Sequence, residues 1–330
     1  MPSFRFVVFI VRGIAIAFIG IGALAALPAH AQIARLELRT FQTSSPSDQA
    51  FLAGKHDGAP VTIVGELRIP RTGTDRLPAV VLLHGSGGAS GQVDGWAREL
   101  NALGVATFIV DSFTGRGIVS TVADQTQLGR LTMILDAYRA LEVLSKHPRV
   151  DPARIAVMGF SRGGQAALYS SLNRFRAMHG PEGIRFAAHI AFYPSCNTVF
   201  IGDDDVADSP IRIFHGAADD YVPVAPCRAY VERLRQHGKD AALTAYPDAN
   251  HVFDYPFFKV PQKLPQAQTT RRCQLDESPD GIILNRETGR AFGYDDACVE
   301  RGTTIGYQPQ AAAEALAAVR AFVTVALKLE

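Results

Sequence analysis

The stretch Gly159-Phe160-Ser161-Arg162-Gly163-Gly164 constrains this chain more than any other. The run before it, Arg154-Ile155-Ala156-Val157-Met158, is short, apolar and partly β-branched, which suits a strand buried on both faces of a parallel sheet. The run after it, Gln165-Ala166-Ala167-Leu168-Tyr169, predicts a helix. A strand that becomes a helix within one serine forces that residue into a strained backbone conformation. Only small neighbours let the chain pass, and Gly159 and Gly163 supply the room. Such an elbow lifts the hydroxyl above the sheet edge. It aims the next backbone N–H groups and the positive end of the helix at the same spot. Ser161 is therefore the candidate nucleophile.

A chain of 330 residues can bury a large core and remains compatible with one α/β domain preceded by a leader. With 33 Lys and Arg against 32 Asp and Glu, no basic footprint suggests nucleic acid as a partner. Arg5 and Arg12 precede an apolar run over residues 13–27, and Ala29-His30-Ala31 has the small-residue pattern of a leader cleavage site. The expectation is a signal peptide over residues 1–31, cut after Ala31, and a single domain over residues 32–330. An uncleaved anchor over residues 6–27 is the competing possibility, weakened by Arg12. Export to the periplasm or outside the cell follows, with no stable membrane association after cleavage.

Cys196, Cys227, Cys273 and Cys298 all lie in the exported portion, where an even number of thiols usually pairs. Of the three possible connectivities, Cys196–Cys227 and Cys273–Cys298 are favoured because each closes a short loop. Each is worth about 3.5 kcal/mol in the chain-entropy model. Zinc is the alternative use of four cysteines, but no C-x-x-C pair is present.

Residues 32–58 are mixed and polar and read as a surface approach. Residues 61–69 alternate as an outer strand, and residues 79–83 form an apolar strand running into His84-Gly85-Ser86-Gly87-Gly88. That glycine-rich turn exposes backbone N–H groups, as an oxyanion hole needs. Residues 96–103 predict a helix, 105–110 a strand, and 128–144 a helix with apolar residues at sheet-packing spacing. After the elbow, strands at 187–192, 211–214 and 243–246 alternate with a helix at 227–236. Strands alternating with helices imply a mostly parallel central sheet, with ligands bound outside the strands' carboxyl ends. Residues 255–307 break the pattern. They read as a disulfide-closed insertion near the site, poor in core residues, with one hairpin turning at residues 285–289. Residues 311–327 predict an alanine-rich terminal helix.

A serine hydroxyl needs a positioned base, usually a histidine oriented by a carboxylate, and on such a sheet the chain order is serine, acid, histidine. His237 sits at the end of an amphipathic helix, whereas His251 follows the last strand in a loop, so His251 is the candidate base. Asp219 and Asp220 follow the penultimate strand. Asp203, Asp204, Asp205 and Asp208 form a run that suits a solvated turn.

Together these motifs resemble the dienelactone hydrolase family of α/β-hydrolases. The resemblance is carried by residues 159–164, by His215-Gly216 with Asp219 and Val222-Pro223, and by His251-Val252-Phe253. It covers roughly residues 60–253 and the terminal helix. It implies an α/β-hydrolase fold, a Ser161–Asp219–His251 triad, and the backbone N–H groups of Ser86 and Arg162 as oxyanion donors. The best-known members use a cysteine nucleophile in the cytoplasm, whereas this chain has a serine and an export signal. The insertion at 255–307 has no counterpart in the small family core. The expected activity is hydrolysis of a small carboxylic ester through an acyl-enzyme on Ser161, with no cofactor or metal. A small peptidase of related fold and an inactive binding protein on the same fold are the alternatives.

Overall fold

Successive side chains of a strand point to opposite faces, so the continuous apolar runs of the central strands call for cover on both sides of a sheet. A computed structural model of the chain describes residues 1–3, 33–55 and 58–329. The apolar leader run and the expected cut after Ala31 lie outside the described residues. Thirteen strands are present among them: β1 (Arg35–Ser44), β2 (Pro60–Ile69), β3 (Leu77–Leu83), β4 (Ala106–Asp111), β5 (Val150–Phe160), β6 (His189–Phe192), β7 (Thr198–Val199), β8 (Ile211–Gly216), β9 (Ala241–Tyr246), β10 (Gln262–Thr269), β11 (Leu275–Glu277), β12 (Ile283–Asn285) and β13 (Glu300–Ile305). The helices are α1 (Asp48–Leu52), α2 (Gly91–Ala102), α3 (Thr132–Ser145), α4 (Arg162–Tyr169), α5 (Asn173–His179), α6 (Ala225–Gln236) and α7 (Pro309–Ala326).

Eight strands form one sheet in the order β1-β2-β4-β3-β5-β6-β8-β9. From β4 through β9 every pairing is parallel, while β1 and β2 run antiparallel at one edge. The central parallel strands β3 and β6, and β5 from Ile155 onward, are buried on both faces, as their near-continuous apolar sequences require, whereas the edge strand β9 is only partly buried. Ala79, Val81 and Leu83 of β3 and Ile155 and Val157 of β5 pack with α3, α4 and α6. Their neighbours Val80, Leu82, Ala156, Met158 and Phe160 pack on the other side with α2 and α7. The molecule is therefore an α/β-hydrolase fold: a mostly parallel sheet covered by helices on both faces, with all parallel strands ending at one edge.

Two expectations need correction. The stretch expected as an irregular surface approach over residues 32–58 is, within the described residues 33–55, an ordered edge strand and helix, since β1 pairs with β2 along ten positions and α1 follows it. The charges that made this stretch read as surface belong to the edge strand itself: Arg35 and Arg39 both ion-pair with Glu37. Charged side chains are a common guard on a sheet edge. Only Phe41 and Thr43 of β1 are buried, too few to announce a strand.

The second correction concerns residues 255–307. The expected hairpin is present, with Phe292 N donating to Ile283 O and Asn285 N to Arg290 O, both at 2.8 Å. Around it, β10 pairs with β13, and β11 lies between β12 and β7, so the segment is ordered sheet rather than loop. Nor is it poor in core residues. Cys273, Leu275, Ile283 and Cys298 are buried in the same apolar cluster as α3 and α4. Its strands are three to eight residues long and carry many charges, so single-chain periodicity was too short to reveal them.

Both expected disulfides are formed, Cys196–Cys227 and Cys273–Cys298, and no free cysteine remains. Among the described residues, no helix is long and apolar enough to cross a membrane.

Because Cys273 and Cys298 sit in the main core, replacing both with serine should lower unfolding stability by about 3.5 kcal/mol, the entropy of a loop of this length. Urea titration of the oxidised wild type against the double variant measures it. An unchanged midpoint would show that the insertion hangs free of the core.

Candidate active site

The elbow forms because glycine removes every Cβ that would block it. β5 ends at Phe160, α4 begins at Arg162, and Ser161 between them has φ 52° and ψ −113°. A positive φ in a residue bearing a side chain is strained and is held only where the surroundings over-determine it. Here Ser161 N–H donates to Phe192 O of β6 at 2.9 Å, and Ser161 O accepts from Gln165 N at 2.8 Å. A Cβ at Gly159 would overlap the Gly163 carbonyl oxygen, and one at Gly163 would overlap the carbonyls of Leu83 and His84. The α4 backbone therefore passes directly over the ends of β3 and β5.

The loop after β9 carries His251 to the same edge. Its Nε2 lies 2.9 Å from Ser161 Oγ, and its Nδ1 lies 2.7 Å from Asp219 Oδ2. Ionised Asp219 can only accept, so Nδ1 bears the proton and Nε2 is left with a lone pair for the serine hydroxyl. His251 and Asp219 are both buried. The imidazole packs against Tyr193 and Tyr221, with ring centroids 4.5 and 4.8 Å away.

The two neighbouring aspartates are separated by geometry. Asp219 Oδ1 accepts from Tyr221 N and Val222 N at 2.9 and 2.8 Å, which turns the chain and leaves Oδ2 for His251. Asp220 instead accepts from Thr304 N at 2.7 Å and Thr304 Oγ1 at 3.0 Å, tying β13 to this loop. Asp203 faces Arg233 at 2.7 Å, and His237 bonds to Arg233 O at the end of α6, so neither joins the cluster.

Two further buried histidines flank the site without entering it. His84 Nε2 accepts from Ser112 N at 3.1 Å, so its Nδ1 carries the proton toward Gly85 O at 2.8 Å. His215 Nδ1 lies 3.0 Å from Gly216 O and 3.9 Å from Asp219 Oδ2. Burial lowers the proton affinity of both rings, which favours the neutral form.

Ser86 and Arg162 both line a cavity that opens on Ser161. Gly85, at the start of the β3 turn, is so close that an added Cβ would lie 3.3 Å from Ser161 Cβ. The Arg162 side chain turns away from the hydroxyl and is buried. Its guanidinium donates to Leu128 O at 2.8 Å and to Gln125 O and Oε1 at 3.0 Å.

The insertion was expected near the site, but the individual residues of the cavity wall were not legible in the sequence. Gln125 and Arg130 come from the loop between β4 and α3, Tyr221 from the Asp219 loop, and Gln268, Thr269 and Tyr294 from the insertion. Gln268 Oε1 accepts from Gln125 N at 2.9 Å, and Thr269 Oγ1 donates to Tyr221 O at 2.6 Å, so the insertion forms one wall. These residues carry no local motif. The distance in sequence between Gln125 and Gln268 hid their adjacency.

A model of the dienelactone hydrolase family matches residues 65–269 of this chain. Acyl-protein thioesterase 1 of Gibberella zeae is 27% identical over 124 residues, which cover 38% of this chain and 49% of the relative. A candidate carboxymethylenebutenolidase of Methylorubrum extorquens is 26% identical over 200 residues, covering 54% of this chain and 63% of the relative. The chain thus spans less than two thirds of the length of either curated relative. Among solved structures, m3DLH superposes with a TM-score of 0.51 at 20% identity, covering 88% of this chain and 98% of the other, a likeness of fold.

The bonding of the two aspartates predicts unequal effects of amidation. Asp219→Asn should reduce turnover of an ester by up to about four orders of magnitude, because the amide offers His251 the wrong partner and the tautomer is lost. Asp220→Asn should leave turnover within about tenfold, since its carboxylate holds only Thr304. Steady-state rates on the two variants decide. A larger loss at Asp220 would reject the geometry.

Proposed function

The chain belongs to the dienelactone hydrolase family, and from that premise we propose that it is a serine hydrolase of carboxylic esters. The observation that carries this reading is the continuous hydrogen-bonded line from Ser161 Oγ through His251 to Asp219, at 2.9 and 2.7 Å.

In the proposed reaction, Ser161 Oγ attacks the ester carbonyl while His251 Nε2 takes the hydroxyl proton. Asp219 stabilises the imidazolium that forms and keeps the ring in its attacking orientation. Negative charge moves onto the carbonyl oxygen, where the backbone N–H groups of Ser86 and Arg162 would receive it. Collapse of the tetrahedral species breaks the bond to the alcohol, which leaves with the proton from His251. An acyl group remains on Ser161. Water, deprotonated by His251, then attacks the acyl carbonyl and releases the acid, restoring the hydroxyl.

The α4 N-terminus contributes its dipole at the same point, since α4 starts at Arg162. The cavity wall is rich in hydrogen-bonding side chains, among them Gln125, Gln165, Ser195 and Thr270, which supports a small polar ester over a long alkyl one. Two disulfides joined across the fold support assembly in an oxidising compartment, and with the leader sequence they favour an exported enzyme.

A fluorophosphonate probe should label the wild-type protein with one equivalent and leave Ser161→Ala unlabelled, as read by intact-mass spectrometry. The same variant should lose ester hydrolysis. Persistent labelling after the substitution would place the nucleophile elsewhere.

A further inference from the structure

One buried carboxylate beside the base takes no part in that chemistry. Asp254 lies three residues after His251 and is almost fully buried. Trp96 Nε1 donates to its Oδ2 at 2.7 Å, and the Tyr193 hydroxyl donates to its Oδ1 at 2.7 Å. Gln92 Nε2 lies 2.9 Å from both oxygens. Burial raises the pKa of this carboxyl while its three donors oppose the shift. A buried carboxylate is costly to place and becomes tolerable when its lone pairs are filled, as they are here.

The partners of Asp254 belong to the elements that hold the proposed machinery. Gln92 and Trp96 lie on α2, the helix that follows the Ser86 turn. Tyr193 follows β6, and its ring packs against the His251 imidazole. Asp254 itself closes the loop that presents His251.

That loop also needs restraint. Val252, directly after His251, has φ 62°, a conformation that β-branched residues rarely hold, and Tyr193 has φ 37°. The side-chain bond from Tyr193 to Asp254 joins these two strained segments. Beyond it, the Tyr255 hydroxyl packs so closely on the start of α2 that a Cβ at Gly91 would lie 2.6 Å from it.

Building on the hydrolase reading, we propose that Asp254 is a positioning residue for the base. By fixing Tyr193 and the His251 loop to α2, it holds the imidazole at bonding distance from both Ser161 and Asp219. A displacement of the ring by about 1 Å would break one of those bonds, and misplacements of this size cost about a hundredfold in rate.

The test compares Tyr193→Phe, which keeps the ring and deletes its bond to Asp254, with Asp254→Asn, which keeps the size and turns one accepting oxygen into an NH2 facing the donors of Trp96, Tyr193 and Gln92. Each is assayed on p-nitrophenyl acetate, and the His251 Nδ1–H resonance is followed by proton NMR at low field. We expect kcat to fall about ten- to a hundredfold in both variants while KM stays within about threefold. We also expect fluorophosphonate labelling to slow by the same factor and the resonance to shift or broaden. A Tyr193→Phe variant with wild-type kcat and an unchanged resonance, or a loss carried by KM alone, would overturn the proposal. If Asp254→Asn fails to fold, Tyr193→Phe decides alone. Failure of the hydrolase reading looks different, because the wild type would then be inert to ester and probe. In that event the resonance in Tyr193→Phe still tests whether the hub positions the imidazole.

Discussion

The positive φ of Ser161 is the constraint on which the rest of this structure depends. Such a conformation costs about 1–3 kcal/mol, and it persists only because its surroundings leave the residue no alternative. β5 is buried on both faces and fixes the approach, and α4 packs through Ala166, Ala167 and Leu168 into the main core and fixes the departure. Gly159 and Gly163 let those two elements meet within one residue by removing the side chains that would separate them. The bond from Ser161 N–H to Phe192 O then locks the elbow to β6. What emerges is a hydroxyl at the carboxyl edge of a parallel sheet, with the start of a helix and the β3 turn beside it.

The loops around Ser161 are tied down as firmly as the elbow itself, and here the insertion contributes. β13 reaches both partner loops. Thr304 bonds to Asp220, next to Asp219, and Gly306 N donates to His251 O at 3.0 Å. From the other direction Arg271 of the insertion donates to Asp220 O at 2.7 Å and Thr269 to Tyr221 O. The Cys196–Cys227 disulfide joins the segment after β6 to α6, so it spans the loop that carries Asp219. Short loops on a sheet edge would otherwise be the least stable part of such a fold. Residues 255–307, whose first part to Thr269 lies within the family match, thus serve as a brace and as a cavity wall.

The central sheet was legible in the sequence because its strands are apolar on both faces and its turns carry their own signals. Gly-x-Ser-x-Gly after such a strand announces the elbow, and a histidine after the last strand stands where only a loop can place it. The edge strand β1 was not legible, because Arg35, Glu37 and Arg39 protect an edge with the same residues that mark a surface. Asp219 and Asp220 could be told apart only by the family pattern. The structure separates them physically through the backbone turn that occupies Asp219 Oδ1. Gln125, Gln268 and Tyr294 meet at the cavity from distant parts of the chain, and no local pattern encodes such a meeting. Asp254 stood in plain view beside His251, but its partners Gln92, Trp96 and Tyr193 are joined to it only by the fold.

The central claim is that the elbow presents one nucleophile and two backbone donors to a single reacting centre. It is tested most directly by a high-resolution crystal structure of the phosphonylated protein. The account predicts phosphorus bonded to Ser161 Oγ, with the phosphoryl oxygen about 2.7–3.1 Å from both Ser86 N and Arg162 N. An adduct on another residue, or a phosphoryl oxygen turned to solvent while those two N–H groups point elsewhere, would contradict it.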